Sequence, residues 1–272
     1  MAFLKTNNGK VYYEVHGESA KTLIILNGIM MSSASWKPFL TYLLNHVKVV
    51  LVDFFDQGKS EYLDADYDQT IQSDLVSDII SGLNLKSVTL LGISYGGEVA
   101  MNFVTRYPGV IENLILANTT AYTGKQLKAI GENWIHAAST YDGKKFFSAT
   151  IPPIYSTGFY ESRADWLEAR EKMFDQLFDD RWYEGFIRLV RSAETHDERE
   201  NLKHINVPTL VIGASEDIIT PLACQKEIVE NIPDSKFLVI ENCGHASMYE
   251  KPTEFFSSVI GFVYTAGSTF KI

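Results

Sequence analysis

The sequence GISYGG at residues 92–97 decides the fold of this chain. It stands directly after an apolar run that ends at Leu91 and before a helix-like segment that starts at Glu98. Its G-x-S-x-G spacing places one glycine two residues before Ser94 and another two residues after it. A serine on a tight strand-to-helix turn needs glycine at both positions, because side chains there would collide with neighbouring backbone. The stretch predicts that Ser94 is an exposed nucleophile; the alternative is a turn serine that caps the following helix.

The rest of the chain alternates between short runs of Val, Ile and Leu and segments of helical period, a pattern typical of buried parallel strands joined by crossover helices. It predicts an α/β protein. Strands are predicted at 22–26, 47–53, 87–91, 114–118, 209–213 and 236–241, with an antiparallel edge strand at 11–15. Helices are predicted at 36–44, 69–83, 96–106, 222–232 and 252–265.

A serine hydroxyl becomes an effective nucleophile when an imidazole takes its proton and an acid fixes the tautomer of that imidazole. Of the six histidines, only His245 lies directly after a late predicted strand. Asp217 holds the corresponding position after the preceding strand, and Glu216 is its rival. The alternative for Asp217 is a solvated loop aspartate or a helix cap. We expect Ser94, Asp217 and His245 to act together as a catalytic triad.

The oxyanion formed in acyl transfer needs two backbone N–H donors. One comes from the residue after the nucleophile, Tyr95. The second should come from the loop at 27–31, where we assign it to Ile29 and where Gly28 lets the backbone approach closely. An ordinary strand-to-helix turn is the alternative for this loop.

Between residues 121 and 204 the pattern changes to helical segments dense in aromatic and charged residues. This predicts a helical cap at 121–204, inserted into a core domain formed by 1–120 and 205–272. Several apolar residues of the cap fall at helical spacing, which indicates a face that packs the cap onto the core. They are Trp166, Met173, Phe174, Leu177 and Phe178.

Substrate contacts are expected from both parts of the chain: Gly28 and Met30 from the early loop, and Trp134 and Tyr155 from the cap. Such a site is apolar, which favours neutral or singly charged substrates. The net charge of −10 adds a long-range penalty for polyanions, which local cap charges such as Arg163 or Arg181 could offset.

The chain order Ser94, Asp217, His245, the serine turn, the early glycine loop and the helical insertion together resemble the α/β-hydrolase superfamily. The resemblance covers almost the whole chain. It implies an eight-stranded, mostly parallel sheet with a helical lid inserted after the sixth strand. Asn27 stands where a histidine is common, as in enol-lactone hydrolases and small esterases, and 55–56 is Phe-Asp instead of the usual Arg-Gly.

The resemblance implies several reactions, because this superfamily hosts many chemistries. Serine at the turn disfavours epoxide opening and halide displacement, which use aspartate there. Carboxylic ester hydrolysis is the leading expectation, and lactone opening, thioester hydrolysis, carbon–carbon bond hydrolysis and perhydrolase activity remain open on the same triad. A small-molecule sensor that keeps the triad is the alternative from another class.

Composition limits the partners. The 272 residues carry a net charge of −10 and no basic tract, which disfavours nucleic acid. No apolar run is long enough for a membrane span, and no metal cluster or nucleotide-binding loop appears, so neither metal nor cofactor is expected. With two cysteines and no secretory signal in view, we expect a cytoplasmic monomer or homodimer.

Overall fold

A computed structural model describes residues 2–266. Its eight strands form one sheet in the order β1-β2-β4-β3-β5-β6-β7-β8. The strands are β1 (Ala2–Lys5), β2 (Lys10–His16), β3 (Thr22–Leu26), β4 (Lys48–Val52), β5 (Val88–Ile93), β6 (Asn113–Ala117), β7 (Thr209–Ala214) and β8 (Ser235–Ile240). The pairs β1–β2 and β2–β4 are antiparallel, and all other neighbours are parallel. The mostly parallel eight-stranded sheet is confirmed.

Both faces of the sheet are buried, which explains why the central strands are almost continuously apolar. In β3, Leu23 and Ile25 join the core on one face, whereas Ile24 and Leu26 join the core on the other. This alternation follows from the two-residue period of a strand.

One prediction about the sheet is wrong. The strand predicted at 11–15 is present as β2, but it is not at the edge, because β1 pairs outside it from Ala2↔Tyr13 to Lys5↔Lys10. The four residues of β1 alternate between half-buried and exposed, and so short a segment gives no clear strand pattern in the sequence. The other strand predictions agree with the structure to within two residues at either end.

The helices cover both faces and the carboxyl edge of the sheet. They are α1 (Leu40–Leu43), α2 (Thr70–Gly82), α3 (Tyr95–Arg106), α4 (Lys125–Ala138), α5 (Gly143–Thr150), α6 (Thr157–Ser162), α7 (Ala164–Leu177), α8 (Asp180–Ser192), α9 (Leu222–Asn231), α10 (Ser247–Glu250) and α11 (Pro252–Thr265). The helix predicted at 36–44 is divided between the end of a 3-10 helix, Ser33–Phe39, and the short α-helix α1. Pro38 lies inside the 3-10 helix, where it cannot donate a backbone hydrogen bond.

Helices α4 to α8, here called the inserted helices, stand between β6 and β7. The insertion after the sixth strand is therefore confirmed, while the division into a core domain and a cap at 121–204 stays a prediction. Phe146 contacts Phe174, Trp182 and Phe186 within this segment. Leu177 is predicted to pack inward, but it is 67% exposed, whereas Phe174 in the same last turn of α7 is buried.

No helix among residues 2–266 combines the length and the apolar character needed to cross a bilayer.

Candidate active site

The Ser94 turn joins β5 to α3 at the carboxyl edge of the sheet. Ser94 has φ 52° and ψ −122°, a strained conformation for a residue with a side chain. Its amide donates to the carbonyl of Ala117 on β6 over 2.9 Å, which fixes the turn to the neighbouring strand. A Cβ on Gly92 would overlap the carbonyl of Gly96, and a Cβ on Gly96 would overlap the carbonyl of Leu26. The glycine spacing is therefore a steric requirement of this turn.

His245 lies against Ser94 in the loop between β8 and α10. Its Nε2 is 2.9 Å from Ser94 Oγ, and its Nδ1 is 2.8 Å from Asp217 Oδ2. An ionised carboxylate can only accept, so Nδ1 carries the proton and Nε2 accepts from the serine hydroxyl. This is the arrangement that a histidine needs in order to take a proton from serine.

Asp217 is a buried carboxylate with five donors around it. Its Oδ1 accepts from the amides of Ile219 and Thr220, both at 2.9 Å. Its Oδ2 accepts from His245, from the Thr220 hydroxyl at 3.0 Å and from the Asn118 side chain at 3.0 Å. Burial alone would raise the pKa of Asp217, but the His245 charge and these hydrogen bonds outweigh it and hold the pKa below its ordinary value. The group stays ionised beside the imidazole.

Glu216 does not take part in this arrangement. It lines a different surface depression, together with Arg163 and Asn242. Of the two rival acids, the structure brings only Asp217 to the histidine.

Asn118 belongs to the site and was not predicted there. It is fully buried at the end of β6, with a positive φ of 46°. Its Nδ2 donates to Asp217 Oδ2, and its Oδ1 accepts from Ser247 Oγ at 2.6 Å. The sequence signal that could have found it is its place after β6, the strand next to β7, because parallel strands end at the same edge.

The predicted oxyanion donors lie next to Ser94. The Tyr95 amide begins α3, where an N–H has no partner inside the helix. A Cβ on Gly28 would lie 3.6 Å from Ser94 Cβ, and Gln57 Nε2 holds this loop by donating to the carbonyls of Gly28 and Ile29 at 3.0 and 3.2 Å. Ile29 lines the same cavity as Ser94, and the assignment of its amide and that of Tyr95 as oxyanion donors stays a prediction.

Asn27, which stands where a histidine is common, anchors the same loop through its side-chain amide. Its Nδ2 donates to the Val52 carbonyl at 2.7 Å and to Gln57 Oε1 at 3.1 Å, while its Oδ1 accepts from Trp36 Nε1 at 2.8 Å. The fully buried amide therefore has a partner at each end and a structural role beneath the loop.

Two cavities meet at Ser94. The first, of about 660 Å³ including space that opens to solvent, is lined by Ser94, His245 and all four predicted substrate contacts, Gly28, Met30, Trp134 and Tyr155. The second, of about 580 Å³ on the same measure, is lined by Ser94, Tyr95 and Glu98. Ile29 and Trp134 border both. Within residues 2–266 no group of three or more His, Cys, Asp and Glu side chains is placed to hold a metal ion.

A serine on a strained strand-to-helix turn, a histidine after the last strand and an acid after the strand before it define an α/β-hydrolase. The sequence model of the Alpha/beta hydrolase family matches residues 23–258, and the chain belongs to that family. A crystal structure of MGS-M2, an alpha/beta hydrolase enzyme from a Medee basin deep-sea metagenome library, is similar over the whole of both chains, with 37% identity and a TM-score of 0.96.

Two curated relatives are more distant. The chain is 24% identical over 248 residues to 3-oxoadipate enol-lactonase 1 of Acinetobacter baylyi, covering 90% of each chain. It is 23% identical over 257 residues, again 90% of each chain, to a protein of Pantoea ananatis provisionally named carbamate hydrolase RutD.

Proposed function

We propose that this protein is a serine hydrolase that cleaves carboxylic esters of small to medium apolar substrates through an acyl-enzyme on Ser94. The observation that carries the proposal is the continuous chain of contacts from Ser94 Oγ to His245 Nε2, at 2.9 Å, and from His245 Nδ1 to Asp217 Oδ2, at 2.8 Å.

In the first half-reaction, Ser94 Oγ attacks the ester carbonyl carbon while His245 Nε2 takes the hydroxyl proton. The Asp217 carboxylate stabilises the imidazolium that forms. The carbonyl oxygen becomes an oxyanion, which the amides of Ile29 and Tyr95 stabilise. As the bond from carbon to the leaving oxygen breaks, His245 returns the proton to the departing alcohol, which leaves the acyl group on Ser94.

In the second half-reaction, water takes the place of the alcohol. His245 removes a proton from the water, the resulting hydroxide attacks the acyl carbon, and a second oxyanion forms at the same two amides. Collapse releases the carboxylic acid and returns the proton to Ser94 Oγ. Every proton moves between groups that this chain, the substrate or the attacking water supplies, so the proposal needs no cofactor.

The names of the relatives support hydrolysis at a carbonyl carbon. MGS-M2 is described as a hydrolase enzyme, and the two curated relatives carry the names of a lactonase and a carbamate hydrolase. Lactones and carbamates share with esters a carbonyl bonded to a heteroatom. The ester class itself rests on the triad geometry and on the apolar lining of the first cavity.

The experiment is a panel of esters, lactones, thioesters and vinylogous diketones, assayed with the purified protein and with Ser94→Ala. We expect turnover of esters and a loss of several orders of magnitude in kcat for Ser94→Ala, since nucleophile and base act as a unit. If the protein turned over lactones or diketones but no esters, the proposed ester substrate would be wrong and that other class would take its place. Absence of any turnover would favour the sensor hypothesis.

A further inference from the structure

Arg170 brings a positive charge into the apolar cavity at Ser94. It stands on α7, within the inserted helices, and it lines the same cavity as Ser94 and His245. Arg163 and Arg181, the two examples of cap charges drawn from the sequence, do not line this cavity. Arg163 borders the depression at Glu216, and Arg181 lies 4.6 Å over the Tyr62 ring.

Aromatic rings surround the guanidinium of Arg170. Its Cζ is 4.7 Å from the ring centroid of Trp166, 5.3 Å from that of Tyr249 and 6.0 Å from that of Phe174. Such contacts stabilise the cation through the ring faces, but they use none of its five N–H donors.

The donors of Arg170 have no acceptor among residues 2–266. Its Nε is buried without a hydrogen-bond partner. The carboxylate of Glu250 is engaged elsewhere, with Oε1 accepting from the amides of Ser156 at 2.9 Å and Gly244 at 3.1 Å. By contrast, the partly buried Arg188 on α8 has an ion pair with Asp56 at 2.7 Å.

A partly desolvated guanidinium with a free planar edge is suited to a carboxylate. Two parallel N–H···O bonds can form in the plane of the guanidinium, and the apolar surroundings strengthen both the charge attraction and the hydrogen bonds. A neutral ester group or an amide offers no charge to this site. The net charge of −10 opposes the approach of multiply charged anions, which favours a substrate with a single carboxylate.

We propose that Arg170 is a specificity-determining residue that binds a carboxylate on the substrate, so that the preferred substrates are monoanionic esters with a free carboxylate in the cavity shared by Arg170 and Ser94. That the bound carboxylate belongs to a substrate rests on the proposed hydrolase function, but carboxylate binding itself does not require turnover. Arg170 is then a binding residue, placed to hold the ligand while Ser94 attacks.

The test begins with binding to Ser94→Ala, measured by calorimetry with a matched pair of probes, hexanoate and hexanamide. We expect hexanoate to bind at least about tenfold more tightly than hexanamide, the order expected for one charged hydrogen-bonded pair. Adding Arg170→Gln should remove this difference. Adding Arg163→Gln, the matched control on the outer surface, should leave it unchanged.

Kinetics of the otherwise native enzyme give the second readout. Arg170→Gln should lower kcat/KM for monomethyl adipate by at least about tenfold, mainly through KM, and leave dimethyl adipate nearly unchanged. Arg170→Lys, which keeps the charge without the planar fork, should retain part of the preference. The thermal unfolding midpoint of each variant reports whether the aromatic cluster has remained folded.

Equal affinities for hexanoate and hexanamide in the protein that retains Arg170 would overturn the proposal and leave Arg170 as a packing residue. The same would follow if Arg163→Gln abolished the difference as fully as Arg170→Gln. Failure here is distinguishable from failure of the hydrolase function: ester turnover without carboxylate preference refutes only the role of Arg170, whereas carboxylate binding without any turnover refutes only the hydrolase function.

Discussion

Replacing Asp217 with asparagine separates the orientation of His245 from the packing around it. In the wild type, Oδ1 accepts two backbone amides and Oδ2 faces three donors, from His245, Thr220 and Asn118. An asparagine must keep its oxygen at the two amides, because they cannot rotate away. Its NH₂ group then points at His245 Nδ1. The imidazole responds by accepting at Nδ1 and carrying its proton on Nε2, where it can no longer accept the proton of Ser94.

The size of the effect follows from this wrong tautomer. The same substitution in the serine protease triad lowers kcat by about 10⁴, which is about 5 kcal/mol of activation free energy. We expect a loss of that order for Asp217→Asn. Stability should fall by much less, about 1–3 kcal/mol. The Asn118 amide can turn over and present its oxygen to the new NH₂, and the Ser247 hydroxyl can then accept instead of donate.

The assay compares kcat for an activated ester in Asp217→Asn and Glu216→Gln, with urea unfolding of both proteins. Glu216→Gln should keep kcat within about twofold, because its side chain faces a separate depression. Equal losses in the two variants, or a larger loss in Glu216→Gln, would refute the assignment of the acid. A kcat loss in Asp217→Asn that only tracks unfolding would refute the tautomer argument.

Three further outcomes are expected. Asn118→Ala should lower kcat, and it should lower the free energy of unfolding by about 2–4 kcal/mol. The substitution removes a hydrogen bond to a charged group and leaves the buried Ser247 hydroxyl without its acceptor. Wild-type values of both quantities would show that Asn118 does not position Asp217. Burial raises the pKa of Glu98 despite the lowering effects of His196 and Gln69, so its stabilising contribution is complete below the unfolded pKa of 4.5 and is lost as pH rises through the folded pKa. Glu98→Gln should therefore have a higher Tm than wild type above about pH 4.5, with the gap closing below it; a gap independent of pH would contradict this linkage. Among p-nitrophenyl esters from acetate to palmitate, kcat/KM should peak at short or medium acyl length without activation above the micelle threshold, because Trp134, Tyr155 and Phe174 of the inserted helices bound the cavity at Ser94. A preference for micellar palmitate would indicate a lipase instead.

The triad geometry could be anticipated because each of its residues follows a strand. Ser94, Asp217 and His245 come after β5, β7 and β8, and parallel strands end at one edge of the sheet. The prediction of each triad residue needed only its neighbours in the sequence, because nearby glycines and the end of a strand mark its position.

Contacts that depend on packing could not be anticipated in this way. Arg170 lies in a helical segment with charges distributed along it, and nothing in that spacing shows that its guanidinium reaches the cavity at Ser94. Asn118 was not predicted at the site, because only packing shows that its amide donates to the carboxylate of Asp217, which follows the neighbouring strand. Strand β1 was missed because its four residues become an edge strand only through pairing with β2.

The central claim is that Ser94 forms an acyl-enzyme, and covalent labelling tests it most directly. The protein is treated with a fluorophosphonate, its intact mass is measured, and the modified peptide is sequenced by tandem mass spectrometry, with Ser94→Ala as the control. We predict a single adduct on Ser94, parallel loss of ester hydrolysis, and no adduct on Ser94→Ala. An adduct on another residue, together with ester hydrolysis that survives in Ser94→Ala, would contradict the claim.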